Sequence, residues 1–165
     1  MYVRITEFAD EWTREMQITE KVMNALTNES LSQIIAPERR TLGQLAWHLV
    51  ESLHYMTHCG LAFDEPDNDA KEANIADLIA REYSRISRAL LNAVQTQWDD
   101  HRLHDTIEMM GEPWANGASL HFTLMHQAHH RGQMTVLMRQ AGLRVPEVYG
   151  PTYESWLEQG AEPLT

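Results

Sequence analysis

The 165-residue chain has a single cysteine, Cys59, so it cannot form an internal disulfide. A lone thiol fits a reducing compartment. No apolar run reaches the roughly 18 residues that a membrane span needs, so none is expected. The first residues, Met1 to Glu7, lack the basic-then-apolar pattern of a secretory signal. Positive charge is scarce: 13 Lys and Arg stand against 24 Asp and Glu, a formal net charge of −11. Binding to phosphates needs clustered cations, so this balance argues against a nucleic-acid partner and against docking on an anionic membrane. A soluble cytoplasmic protein is the expectation.

What the chain does have is helical periodicity. The length and the 43% share of hydrophobic residues suit one domain with a core of its own. Residues 6–27 read as a first helix, opened by Thr6 as cap, with Glu7, Asp10 and Glu11 in or near its first turns. Its inward stripe runs through Phe8, Trp12, Met16, Val22, Met23 and Leu26, interrupted by Glu15 and Thr19. Thr41 followed by Gln44 fits a capping box, so a second helix is expected from Thr41 to about Cys59, ending near Gly60. Its inward side carries Leu45, His48, Leu49, Ser52, Tyr55, Met56 and Cys59. Residues 64–68 read as an acidic turn.

A third helix spans about 75–98, with Ile79, Tyr83, Ile86, Leu90 and Val94 on its buried side. Gly111, Pro113 and Gly117 break the pattern over 99–117, leaving a loop with room for a small hairpin around the apolar piece Ile107–Met110. The fourth helix is expected over 118–142, with Asn116 near its start and Gly142 in the left-handed position beyond its end. Residues 152–158 can form a short last helix. Four long helices around one core make an all-α four-helix bundle, an architecture that builds metal sites from inward side chains on facing helices.

Nine histidines are many for this length. His126 and His130 stand four apart on the fourth helix, hence on one face and one turn apart. With His126 at zero, His130 falls at about 40°, Gln133 at about −20°, Leu137 at about 20°, His129 at about −60° and Arg131 at about 140°. By this reading the His126/His130 pair points toward the core with Phe122 and Ser119, while Arg131 points elsewhere, free to bridge to another helix or subunit. His48 lies on the inward side of the second helix. Three such imidazoles can hold a transition metal and leave a coordination position open, as catalytic sites do. The competing reading is three hydrogen-bonded core histidines. His54 and His58 form another four-residue pair on a different face and read as surface residues.

The segments Leu42-Gly-Gln-Leu-Ala-Trp-His48-Leu49 and His126-Gln-Ala-His-His130-Arg-Gly-Gln133 resemble the DinB/YfiT-like superfamily, and the resemblance covers essentially the whole chain. Tyr149-Gly150 and Trp156 agree more weakly. The resemblance implies a four-helix bundle holding a metal on His48, His126 and His130. It implies zinc or nickel as the usual metal, with iron compatible, and a homodimer. Among members with an assigned activity are thiol S-transferases that use bacillithiol or mycothiol. The family name refers to induction by DNA damage and implies no DNA binding.

A metal-dependent transferase is therefore the leading expectation, joining a small-molecule thiol to an electrophilic co-substrate. A metal-dependent hydrolase and a non-enzymatic metal or small-ligand binding protein are the alternatives. Glu51, one turn from His48, is a candidate to bond a ligand histidine or take a proton; the same residue on a solvent face is the common case. Gln133 can hydrogen-bond in the core or behind a ligand. Tyr55 can present its hydroxyl to the site. Cys59 lies about 16 Å along the axis from His48, too far to share a metal.

Overall fold

The computed structural model describes residues 1–109 and 111–163. Four helices form the bundle: α1 (Ile5–Asn24), α2 (Leu42–Glu51, continued as a 3-10 segment Ser52–Cys59), α4 (Ala76–Gln97) and α5 (Asn116–Gln140). A short α3 (Asn68–Ala73) precedes α4, and α6 (Tyr153–Glu158) lies in the C-terminal segment. The strands β1 (Thr106–Met109) and β2 (Glu112–Ala115) form an antiparallel hairpin that pairs Thr106 with Ala115 and Ile107 with Trp114. Met110, the end of the apolar piece marked in the sequence, lies outside the described residues.

The helices α1 and α2 each lie against both α4 and α5, so α1 stands diagonal to α2. This puts α2 beside α5, although 64 residues separate the end of one from the start of the other in the numbering used here. Among the described residues no helix is long and apolar enough to cross a membrane.

Local signals explain most boundaries. The Thr41–Gln44 capping box forms: Gln44 N donates to Thr41 Oγ1 at 3.1 Å and Thr41 N donates to Gln44 Oε1 at 2.9 Å. At the end of α5, Gly142 adopts φ +74, with Gly142 N donating to Arg139 O at 3.1 Å and Leu143 N to Met138 O at 2.9 Å. These paired bonds satisfy two last-turn carbonyls at a position that needs a left-handed residue.

Other boundaries are set from a distance. The first helix begins at Ile5 rather than at a Thr6 cap, because Asp100 Oδ1 accepts from Ile5 N at 2.8 Å. The helix α4 is capped likewise by Asn28, whose Oδ1 accepts from Ala76 N at 2.9 Å. The expected second helix keeps its span to Cys59 but tightens to 3-10 geometry after Glu51. Its Leu49 carbonyl there accepts from Gln127 Nε2 of α5 at 3.0 Å and from Ser52 Oγ at 3.5 Å. Side chains competing for a ladder carbonyl in this way disturb regular helix geometry. The acidic turn also carries α3, started by Asp67, whose side chain accepts from Asp69 N, while its own N donates to Glu82 Oε1 at 2.7 Å.

The orientation of α5 differs from the sequence reading. Its buried residues include Leu120, Leu124, Gln127, Arg131, Met134 and Met138. On the earlier angular scale the centre of that face lies near about 100°. Arg131 is thus inside the bundle, fully buried, while His126 sits at the rim and Phe122 is 41% exposed. Polar residues at the centre of the buried stripe hid its position from an apolar count.

Arg131 explains the two polar interruptions of α1. Its guanidinium donates to Glu15 O at 3.2 Å, to Thr19 Oγ1 at 2.7 Å, to the Glu15 carboxylate and to Tyr149 Oη. Tyr149 Oη in turn donates to Glu15 Oε2 at 2.7 Å. Glu15 and Thr19 are therefore core residues chosen for a partner on another helix. The C-terminal segment is held further by Arg139 on Glu154 and by Arg144 on Glu158.

Candidate metal centre

The second helix supplies His48 from its buried-to-rim edge, next to Leu49 and Trp47, both in the core. The fifth supplies His126 and His130, one turn apart. The two helices meet so that His48 Nε2 lies 3.3 Å from His126 Nε2, and His130 Nε2 lies 3.1 Å from the same atom. One nitrogen from each ring falls within 4.8 Å of the others, and this is the group of three that could hold a metal among the described residues. His130 is buried; His48 and His126 are half-buried.

The donor set fits a transition metal. Ligands at about 2.0–2.1 Å in tetrahedral array stand about 3.3–3.4 Å apart, which matches the 3.1 and 3.3 Å separations. Burial, the largest cause for each ring, pushes all three histidines below their ordinary range, His126 to about 4. For His126 the neighbouring His130 and His48 add to the shift; for His48, Arg40 comes next after burial. Neutral imidazoles are what metal binding requires.

Gln133 fixes one of them. Its Oε1 accepts from His130 Nδ1 at 2.7 Å, which leaves the His130 Nε2 lone pair facing the other two rings. Gln133 Nε2 lies 3.2 Å from His129 Nε2, so exposed His129 stands outside the triad, behind Gln133. Phe122 lies beside His126 with ring centroids 5.8 Å apart, and Trp114 of the hairpin packs edge-on to Phe122 at 5.6 Å.

Two cavities reach the triad. One of about 510 Å³ is bounded by His48, His126, Tyr55, Phe122, Thr123 and Ile107, so the hairpin forms part of its wall. Tyr55 Oη donates to Ser119 O at 2.8 Å and accepts from Thr123 Oγ1 at 3.2 Å, and burial pushes its pKa up. The other, of about 550 Å³, is bounded by His130, Gln133, Arg39, Arg40, Leu45 and Val136.

Glu51 lines a third, shallower space with His48, Arg40, Trp47 and Lys71, and its carboxylate is half-exposed, 3.2 Å from Lys71 Nζ. Cys59 is buried and its thiol pKa is raised by burial. His58 is exposed at the rim of the 510 Å³ cavity, and His54 packs edge-on against Phe63 at 5.3 Å. Arg39 and Arg40 were not singled out in the sequence. The visible signal was two adjacent cations, in a strongly acidic chain, just before the capping box of a histidine-bearing helix.

A helical bundle whose facing helices bring three imidazoles together, with cavities beside them, defines a class of three-histidine bundle proteins. The model of the DinB family matches residues 1–162, and the chain belongs to that family. It is 44% identical over 163 residues to the uncharacterized protein YrdA of Bacillus subtilis (strain 168), covering 98% of both chains. A crystal structure of a DinB-like protein from Bacillus cereus ATCC 10987 is similar with a TM-score of 0.83 and 42% identity, over 90% of this chain and 100% of that one. The DinB-like protein YjoA of Bacillus subtilis shares the fold, with a TM-score of 0.65 at 18% identity over 88% and 99% of the two chains.

Proposed function

We propose that this protein is a metal-dependent S-transferase, joining a small-molecule thiol to an electrophilic co-substrate at the His48/His126/His130 centre. The carrying observation is that the triad opens onto two separate cavities, which suits two reactants better than one. A divalent zinc, nickel or iron bound there would supply Lewis acidity, which favours the thiolate over the thiol.

The chain's own residues do the remaining work. His48, His126 and His130 would hold the ion, and Gln133 keeps His130 in the tautomer this requires. Tyr55, Phe122 and Ile107 shelter the electrophile from water in the 510 Å³ cavity. The sulfur forms a bond to the electrophilic carbon while the leaving group departs with its electron pair. The thiol proton passes to solvent or to Glu51, which shares a cavity with His48 and is paired there with Lys71.

A hydrolase would need a base beside an activated water. Glu51 and Glu108 line spaces that reach the triad, so it is the pair of cavities, not a missing base, that favours transfer. The test is to load purified protein with zinc, nickel or iron and follow consumption of an aryl halide by small thiols. Conjugation lost in His130→Ala supports the reading. Ester or amide cleavage without thiol dependence would replace it with the hydrolase.

A further inference from the structure

We infer that the cavity beside His130 is an anion subsite, in which Arg39 and Arg40 receive a carboxylate carried by the thiol substrate. This deepens the transferase reading and rests on it for the identity of the ligand's other end.

Charge distribution comes first. Eight of the chain's 13 Lys and Arg side chains are engaged in ion pairs. Neither Arg39 nor Arg40 is among them; Arg39 only donates to the backbone oxygen of Glu38, at 3.3 Å. Five of the 13 cations have no ion pair among the described residues, and Arg39 and Arg40 are the two of these that are adjacent, in a chain with 24 acidic residues, a placement that calls for a reason. Position supplies one. Both line the 550 Å³ cavity with His130, and Arg40 also lines the space that holds His48. Arg40 thus shares cavity walls with triad residues of both α2 and α5.

The backbone agrees. The arginines follow Glu38, a non-glycine residue at φ 58, and Arg39 N donates to Ala36 O at 3.3 Å in a tight turn. Left-handed backbone at such a residue costs energy and recurs at ligand clamps. Leu42 N donates to Gln33 O at 2.9 Å and closes the same loop against the start of α2.

The chemistry selects the ligand. Guanidinium forks match carboxylates and phosphates. Glu38 lies in the same wall, so two cations face one carboxylate, which suits a monoanion better than a doubly charged phosphate. Ile35, Leu45, Val136 and Leu137 line the rest with apolar surface, fit for a short aliphatic linker. The strongly acidic remainder of the protein would repel an anion elsewhere, which focuses it here.

The experiment uses cobalt(II)-loaded protein, in which thiol binding is read from the sulfur-to-cobalt absorption. Mercaptopropionate and mercaptohexanoate are titrated against mercaptopropanol and mercaptohexanol, their uncharged counterparts. At one length or both, the acid should bind about tenfold tighter than the alcohol, the size expected for one charge-assisted contact. R39Q/R40Q, and Arg40→Gln alone, should remove that advantage and leave the alcohols unchanged. Both side chains are exposed, and a melting curve of each variant verifies that it is folded. No advantage at either length, or an advantage that survives in R39Q/R40Q, overturns the subsite. If no thiol reaches the cobalt, the transferase reading fails on its own. The subsite is then judged by hexanoate against hexanol in thermal shift. Stabilisation by hexanoate alone, lost in R39Q/R40Q, sustains it, and its absence overturns it.

Discussion

His130 Nδ1 donates to Gln133 Oε1 at 2.7 Å, one helical turn further along α5. The bond commits His130 to presenting Nε2 to the other two rings. Gln133→Ala frees the ring to rotate and to change tautomer. Metal affinity should fall by about 10- to 100-fold, the usual weight of such a partner. Competition with a colorimetric chelator measures it, while the melting temperature of the metal-free variant should stay close to wild type.

The proposed centre requires all three histidines for one ion. Wild-type protein should hold about one metal per chain, and His48→Ala, His126→Ala or His130→Ala should each lose it. Metal at about 100 times its dissociation constant stabilises the folded wild type by about 2.7 kcal/mol. The melting temperature should therefore rise on metal addition in wild type and not in the variants. Unchanged metal content across all three variants would remove the centre.

Acid should weaken the metal-free protein through His126. Its pKa drops from the ordinary 6.5 to about 4, chiefly by burial. Between those values the unfolded chain binds a proton at this ring and the folded chain does not. Stability is thus complete above about 6.5 and is lost progressively as the pH falls toward about 4. Urea unfolding at about pH 7 and about pH 5 should show a larger loss for wild type than for His126→Gln.

The buried pair between Arg131 and Glu15 predicts an asymmetric response. Arg131→Ala leaves Glu15 in the core without its cation and should cost about 3–5 kcal/mol. Replacing both together, as Glu15→Leu with Arg131→Met, removes the uncompensated charge and should restore much of the loss. Urea denaturation of the two single variants and the double one provides the cycle.

Gly117 is fixed by close approach. Tyr2 N donates to its carbonyl at 3.2 Å, and a Cβ built at Gly117 would overlap the Tyr2 carbonyl oxygen. Gly117→Ala should destabilise by about 1–3 kcal/mol through overpacking. Thermal melts measure it, and the same change at Gly132, where a Cβ meets nothing, serves as control.

Spacing and local chemistry made much of this legible. The Thr41 capping box, the left-handed Gly142 and the i, i+4 histidines are short-range patterns, and the structure has them where the chain announced them. The inward side of α5 was not legible, because Gln127 and Arg131 occupy its centre and no apolar count can point to them. Their meaning depends on Leu49, Glu15 and Tyr149, which lie 78, 116 and 18 residues away in sequence. Asp100 and Asn28 as helix caps are likewise long-range facts. Triad geometry needed the pairing of α2 with α5, while the identities of its members needed only the histidine pattern and the family resemblance.

His48 and His126 are 78 residues apart in the chain. An ion gripping both would act as a removable cross-link between the first and second halves of the protein. Closing a loop of that length restricts the unfolded ensemble more than a short-range clip does, though only logarithmically with length. A chelator would then affect this fold as a reductant affects a disulfide protein. It would speed unfolding and expose the chain to proteases, with no change in the covalent structure.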